Sequence, residues 1–172
     1  MTAIAATPIT APRLTLVPLR AEHAEQMAAV LADPDLYAFT GGSPPTPQAL
    51  AARYERLAAD SPDPAVSWCN WVIRLRDHGH LAGTVQATIS NGADGLLAEV
   101  AWVVGTPWQG RGIGTEAARA LVGWLGHQSV RTVIAHIHPR HHASAAVATA
   151  AGLAPTDQSQ EGETRWSRTM TS

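Results

Sequence analysis

Trp108-Gln109-Gly110-Arg111-Gly112-Ile113-Gly114-Thr115-Glu116 is the stretch around which the whole chain is organised. Ahead of it, Glu99-Val100-Ala101-Trp102-Val103-Val104 is apolar, β-branched and too short for a helix, so it reads as a strand. Behind it, Ala118, Leu121, Val122 and Leu125 recur at helical spacing, which predicts an amphipathic helix over residues 115–125. Strand, glycine loop and helix make a phosphate-binding geometry. Glycines at 110, 112 and 114 let the backbone turn its amides inward and approach a ligand closely. The positive end of the following helix points at the same place.

Several phosphate ligands use such a loop. A nucleoside-triphosphate loop places lysine after its last glycine, whereas Thr115 follows Gly114 here and the chain has no lysine at all. A dinucleotide fold wants its third glycine where Thr115 stands and an acid at the end of the next strand. Ile134-Ala135-His136-Ile137-His138 supplies no carboxylate there. The remaining reading is a pyrophosphate cradle for coenzyme A.

Gln109-Gly110-Arg111-Gly112-Ile113-Gly114 resembles the Q/R-x-x-G-x-G/A acyl-CoA loop of the GNAT superfamily of N-acetyltransferases. Its continuation, Thr115-Glu116-Ala117, is similar to the Rim-type branch, the ribosomal-protein N-alpha-acetyltransferases and their relatives. A second match comes from Pro139-Arg140-His141-His142-Ala143-Ser144 followed by Ala151-Gly152-Leu153, which resembles the family's P-x-N-x-A-S and closing G-F/L. The resemblance runs over residues 12–168 and is strongest over 96–153.

Composition sets outer bounds. A chain of 172 residues suits one domain with a real core. The net charge of −2 comes with no basic run, which argues against a nucleic-acid partner. No apolar stretch is long enough to span a membrane, and no basic segment precedes an apolar one at the start, so neither a transmembrane helix nor a secretory leader is expected. The single cysteine, Cys69, excludes an internal disulfide and fits a reducing cytoplasm.

Residues 1–11 are small, apolar and Thr/Pro-marked, and read as a mobile tail ahead of one acetyltransferase domain over 12–172. Alternation over 13–20 predicts a strand, with Pro18 asking for an edge or a bulge. Helices follow over 21–32 and from a Thr46 cap to residue 59. Residues 68–76, 81–89 and 96–104 form an antiparallel meander separated by turns at 77–80 and 91–95. After the glycine loop and its helix come a strand over 130–138, an alanine-rich helix over 143–151 ended by Gly152, and a hairpin turning near Glu161-Gly162. A crossover helix between strands 99–104 and 130–138 makes that pair parallel. The fold class is α+β, a layered arrangement with a central, mostly antiparallel mixed sheet and flanking helices. Its order matches the GNAT fold with its splayed parallel strand pair.

The resemblance implies direct transfer of an acetyl group from acetyl-CoA to a primary amine of a small molecule or of a protein or peptide N-terminus, without an acyl-enzyme. Homodimers are common in the family. A non-catalytic acyl-CoA-binding or sensing module on the same fold is the alternative. Glu99, at the start of the strand entering the loop, stands where the family has a catalytic glutamate that works as a base. Val103 and Val104 would turn backbone amides toward the acetyl carbonyl and the pantetheine arm. Gln109, Gly110, Arg111, Gly112, Ile113, Gly114 and Thr115 would wrap the pyrophosphate. Glu116 reads as a helix-start acid. His141 stands where the family has asparagine, and histidine has a different hydrogen-bonding reach. Ser144 matches a serine near the cofactor sulfur and is equally readable as a helix cap. The position at which many relatives carry a general-acid tyrosine is Ala148 here. The acceptor pocket is expected from Tyr37, Phe39 and the 41–47 loop with Trp68 or Trp71 and Trp102, lined by residues of one parity; its aromatics are consistent with a hydrophobic acceptor. His136 and His138 share a strand face, but no Cys or carboxylate lies nearby in sequence, so no metal is expected. Cys69 has no partner at a fixed spacing and is read as core rather than nucleophile.

Overall fold

The computed structural model describes residues 3–171. Strands β1 (Ile9–Thr10), β2 (Leu14–Pro18), β3 (Ser67–Leu75), β4 (Leu81–Gly92), β5 (Gly95–Val104), β6 (Val130–Ile137), β7 (Ala154–Gln160) and β8 (Glu163–Thr169) form one sheet. Its order is β1-β2-β3-β4-β5-β6-β8-β7. Helices α1 (Ala24–Val30) and α2 (Pro47–Ala58) cover one face, and α3 (Ile113–His127) and α4 (His142–Ala150) the other. No helix among the described residues is long and apolar enough to cross a membrane.

Period-two alternation assigns the faces. Leu14, Leu16, Cys69, Trp71, Ile73, Val85, Ala98 and Val100 point into the core beneath α3, which supplies Ala117, Ala118, Leu121 and Leu125. Val72 and Leu81 turn the other way, against Met27, Leu50 and Tyr54 of α1 and α2. Thr46 caps α2 by accepting from the Ala49 amide at 3.1 Å, with Pro47 in the first turn, as its sequence asks. Pro18 closes β2 past the end of β1's pairing, where no neighbouring strand needs its missing amide.

All neighbours pair antiparallel except β5 and β6. That pair runs from Leu96↔Val130 to Glu99↔Ile134 and stops, although β5 continues to Val104 and β6 to Ile137. Beyond Glu99 the two strands therefore part, and the facing edge of β5 has no strand on it. The α+β class and the parallel pair agree with the reading of the sequence. The outer strand β7 pairs irregularly, with its register broken between Pro155 and Ser159.

Residues 4–11 correct one expectation. Instead of trailing free, they are fixed against the sheet: the Ile4 amide donates to Ser67 Oγ at 3.0 Å, and the Trp71 and Trp124 indoles donate to Thr7 O and Thr7 Oγ1 at 2.8 and 3.0 Å. The physical reason is that the buried Trp71 indole N–H needs an acceptor and the passing Thr7 carbonyl supplies it, with the Thr7 hydroxyl serving the half-buried Trp124. Met1 and Thr2 lie outside the described residues.

Candidate functional site

The chain leaves β5 through a short 3-10 turn, Thr106–Trp108, and Gln109 locks that exit by donating its Nε2 to Val104 O at 2.9 Å. Gly110 and Gly112 then sit at φ of 75° and 77°, the left-handed region that side chains disfavour. Gly114 does a different job from the one its motif suggests. It is helical, and a Cβ there would meet Val104 and Val147 methyls at 3.4 Å, so it serves close packing of the helix start. Helix α3 begins at Ile113, earlier than the apolar periodicity alone indicates, with Gly112 at its N-cap and no side chain capping it. The amides of Ile113, Gly114 and Thr115 are thus the orphan donors of a helix start aimed out of a curled loop. That is a fit for a phosphate group, with the helix dipole of the same sign.

Arg13 holds this loop in shape, and sequence reasoning missed it. Its Nε meets Glu116 Oε1 at 2.7 Å, its Nη1 donates to Arg111 O at 2.8 Å, and its own amide donates to Glu116 Oε2 at 2.8 Å. Glu116 is therefore the loop's anchor to the start of β2, not a free helix-start acid. The Arg111 side chain is exposed.

Glu99 stands at the last rung that β5 shares with β6, with its side chain 49% exposed. Its Oε2 lies 3.1 Å from His136 Nδ1. The His136 side chain is only 7% exposed, and its Nε2 accepts from Arg165 Nε at 3.3 Å. A guanidinium only donates, so Nε2 is the acceptor nitrogen and the ring proton sits on Nδ1, facing Glu99. Arg165 in turn donates from Nη1 to Gln158 Oε1 at 3.2 Å. Both ring nitrogens of His136 are thereby occupied, and His138 accepts the Arg140 amide at 3.0 Å through Nδ1.

The His141 substitution keeps the capping chemistry. His141 is the N-cap of α4; its Nδ1 accepts from the Ser144 amide at 3.4 Å, and its Nε2 lies 3.1 Å from Ser144 Oγ. An accepting Nδ1 puts the proton on Nε2, which then donates to Ser144 Oγ and leaves the serine hydroxyl proton free to point elsewhere. Burial, followed by neighbouring His138 and His142, pushes the His141 pKa below the usual histidine value.

Phe39 stacks on His141 with centroids 4.6 Å apart and lies 5.0 Å from His138, so its loop reaches the β6–α4 junction. Tyr37 spends its hydroxyl on Leu31 O at 3.0 Å, and burial raises its pKa. Val103 is exposed to 38% and shares the parity of Glu99, whereas Val104 packs against the core beneath α3.

The tryptophan expectation needs correction. Trp71 is fully buried, edge-on to Trp124 at 5.0 Å, and Trp71, Val85 and Trp102 form one row across the sheet facing α3. Neither Trp71 nor Trp102 can line a cleft with Glu99, because strand alternation sends them through to the opposite face. Trp68 has the right parity, in the row Trp68-Thr88-Glu99, and lines a recess of about 500 Å3 two strands away from that carboxylate. Cys69 lies in the core with its thiol pushed up to about 11 by burial, so it is a poor nucleophile.

A mixed sheet with one splayed parallel pair thus leads through a glycine-curled loop into an uncapped helix start. The acetyltransferase (GNAT) domain family matches residues 13–154, and the chain belongs to that family. Among solved structures, it is similar to a GNAT-family acetyltransferase from Bacillus anthracis, at 16% identity and a TM-score of 0.77, covering 95% of this chain and 98% of that one. It is similar to the microcin C7 self-immunity acetyltransferase MccE, solved with acetyl-CoA and AMP, at 16% identity, 0.77, and 92% and 93% coverage. A third is RimL, the ribosomal L7/L12 alpha-N-protein acetyltransferase solved with coenzyme A, at 12% identity, 0.77, and 95% and 98% coverage. At these identities the likeness shows the fold. No curated protein sequence matches the chain.

Proposed function

We propose that residues 12–172 act as one acetyl-CoA-dependent N-acetyltransferase domain that moves the acetyl group directly onto a primary amine of a small molecule or of a protein or peptide N-terminus. The observation that carries this reading is the uncapped start of α3, with two left-handed glycines ahead of it, beside the point where β5 and β6 part. The amides of residues 110–115 grip the diphosphate, the Gln109 amide being spent on Thr106 O, and that of Val104, on the strand edge freed by the splay, holds the acyl carbonyl or the pantetheine arm; the Val103 amide alternates to the other edge, toward β4. The continuation Thr115-Glu116-Ala117 supports placing the chain with the Rim-type branch.

Glu99 is the general base. His136 fixes Oε2, leaving Oε1 to take the proton from the acceptor ammonium, directly or through a water. The freed amine nitrogen attacks the thioester carbon; a C–N bond forms, the C–S bond breaks, and the sulfur leaves as a thiolate that takes up the proton shed by the new amide nitrogen. Ser144 donates its hydroxyl proton as a hydrogen bond to that sulfur, since His141 already serves the hydroxyl oxygen. Holding both reactants in one cleft supplies much of the remaining rate.

The test is calorimetry with acetyl-CoA followed by thiol release over a panel of amines and peptides, for the wild type and Glu99→Gln. The variant should keep acetyl-CoA affinity and lose about a hundredfold to ten-thousandfold in turnover. Tight acetyl-CoA binding by a wild type that turns over no amine would favour a sensing module; absence of binding would remove the whole assignment.

A further inference from the structure

Arg165 is a charged group that the acetyl-transfer chemistry does not use. It lies on β8 opposite His136, two strands from Glu99 and on the same sheet face. No carboxylate pairs with its guanidinium among the described residues, and Glu163, two positions along the same face, makes no ion pair with it. Its two recorded partners, His136 Nε2 at 3.3 Å and Gln158 Oε1 at 3.2 Å, are both neutral acceptors, and Nη2 has none. These contacts hold the fork in one orientation without neutralising it. Arginines fixed in this way are suited to bidentate capture of a carboxylate or phosphate.

A single imidazole ring separates this guanidinium from the Glu99 carboxylate. This patch of the sheet face is therefore a dipole, negative at the base and positive beyond it. An acceptor whose ammonium meets Glu99 and whose chain crosses His136 would bring a second group to Arg165. Resting on the transferase reading above, we propose that Arg165 determines acceptor specificity by binding an anionic group, a carboxylate or a phosphate, carried close to the amine that is acetylated. The hydrogen bond from His136 to Glu99 positions the base; Arg165 positions the acceptor. The hydrophobic acceptor suggested by the tryptophans is displaced by this arrangement, since Trp71 and Trp102 face away.

Matched primary amines test it: β-alanine, γ-aminobutyrate and ε-aminohexanoate, each against its carboxamide, with phosphoethanolamine and ethanolamine as the phosphate arm and an N-terminal Ser-Asp peptide against Ser-Asn as the peptide arm. Full-length wild type should show kcat/KM at least about tenfold higher for the anionic member of one arm, and the responding arm identifies the anion's source. Arg165→Gln should raise KM for that acceptor by about tenfold to a hundredfold, the loss expected for a charged hydrogen bond, and leave KM for its neutral partner unchanged. Arg165→Lys, which keeps the charge, should retain part of the preference, and its melting curve separates a lost contact from a lost fold. Equal loss of kcat on both members would show that Arg165 serves only His136 and would overturn the proposal. So would a wild type that acetylates neutral amines or diamines as well as anionic ones, with the transferase reading intact. If no amine of any charge releases thiol, both readings fall together.

Discussion

Gly110 and Gly112 share a backbone conformation but not their surroundings, and that difference makes them a matched experiment. At Gly110, φ is 75° and a Cβ would meet nothing within 4 Å; at Gly112, φ is 77° and a Cβ would come 3.1 Å from Arg13 Nη2. Alanine at either site carries the left-handed penalty of about 1–2 kcal/mol. A loop relaxed out of that conformation must be drawn back to bind, so acetyl-CoA affinity should fall about fivefold to thirtyfold for Gly110→Ala. Gly112→Ala adds displacement of Arg13 from Arg111 O and Glu116. The Arg13 side chain is 52% exposed, so this extra loss is discounted for solvent screening to about 1 kcal/mol, or roughly another fivefold. Calorimetric titration with acetyl-CoA reads both, alongside melts that confirm folding. In an Arg13→Met background the gap between the two alanine variants should close, which makes the pair a double-mutant cycle for the arginine tether. Equal losses in the wild-type background, or a gap that persists without Arg13, would refute the reasoning.

Other consequences are as direct. Trp71→Ala should cost about 3–5 kcal/mol in urea unfolding, as expected for a fully buried tryptophan, while Trp71→Phe keeps much of the stability and leaves acceptor KM untouched. Tyr54 is buried with its hydroxyl unpartnered and its pKa raised to about 12 by burial, so Tyr54→Phe should leave the melting temperature unchanged or raise it slightly. His141 has a folded pKa below its ordinary 6.5, so between those two values the unfolded chain binds more protons. Its contribution to stability is fully present above about pH 6.5 and falls away as pH drops through the lower folded value; His141→Asn should shallow that acid-side slope in pH-dependent melts. His23, also lowered chiefly by burial, keeps a residual slope in the variant.

What was legible in the sequence was local. The strand, loop and helix over 99–125 are written in contiguous residues, and each follows from its own period or its own glycines. The parallel pair also followed, because a crossover helix enforces it, whereas the splay came only with the family resemblance. Parity was legible too, since Trp68 and Trp71 lie an odd number of positions apart and must face opposite ways. Which of those faces holds the cleft depends on where α3 docks, and no alternation carries that. Arg13 was invisible because it acts on Glu116 and Arg111 from the far end of the chain, through side-chain geometry that no spacing encodes. His136 invited a metal reading from its neighbour His138, whereas its partners, Glu99 and Arg165, sit on two other strands. The N-terminal segment misled for a different reason: what anchors it includes the Thr7 carbonyl, and any residue type carries one.

The two rims of the sheet have a consequence for association. One rim is β1, only 2 residues long, and the other is β7, polar from Thr156 to Gln160 and with its register broken between Pro155 and Ser159. Neither offers the long, flat row of unpaired main-chain groups that templates strand addition from outside. A second copy of the chain would find no continuous ladder to extend, so any dimer must be assembled from side-chain surfaces, and stray stacking of sheets into fibrils is discouraged at both margins.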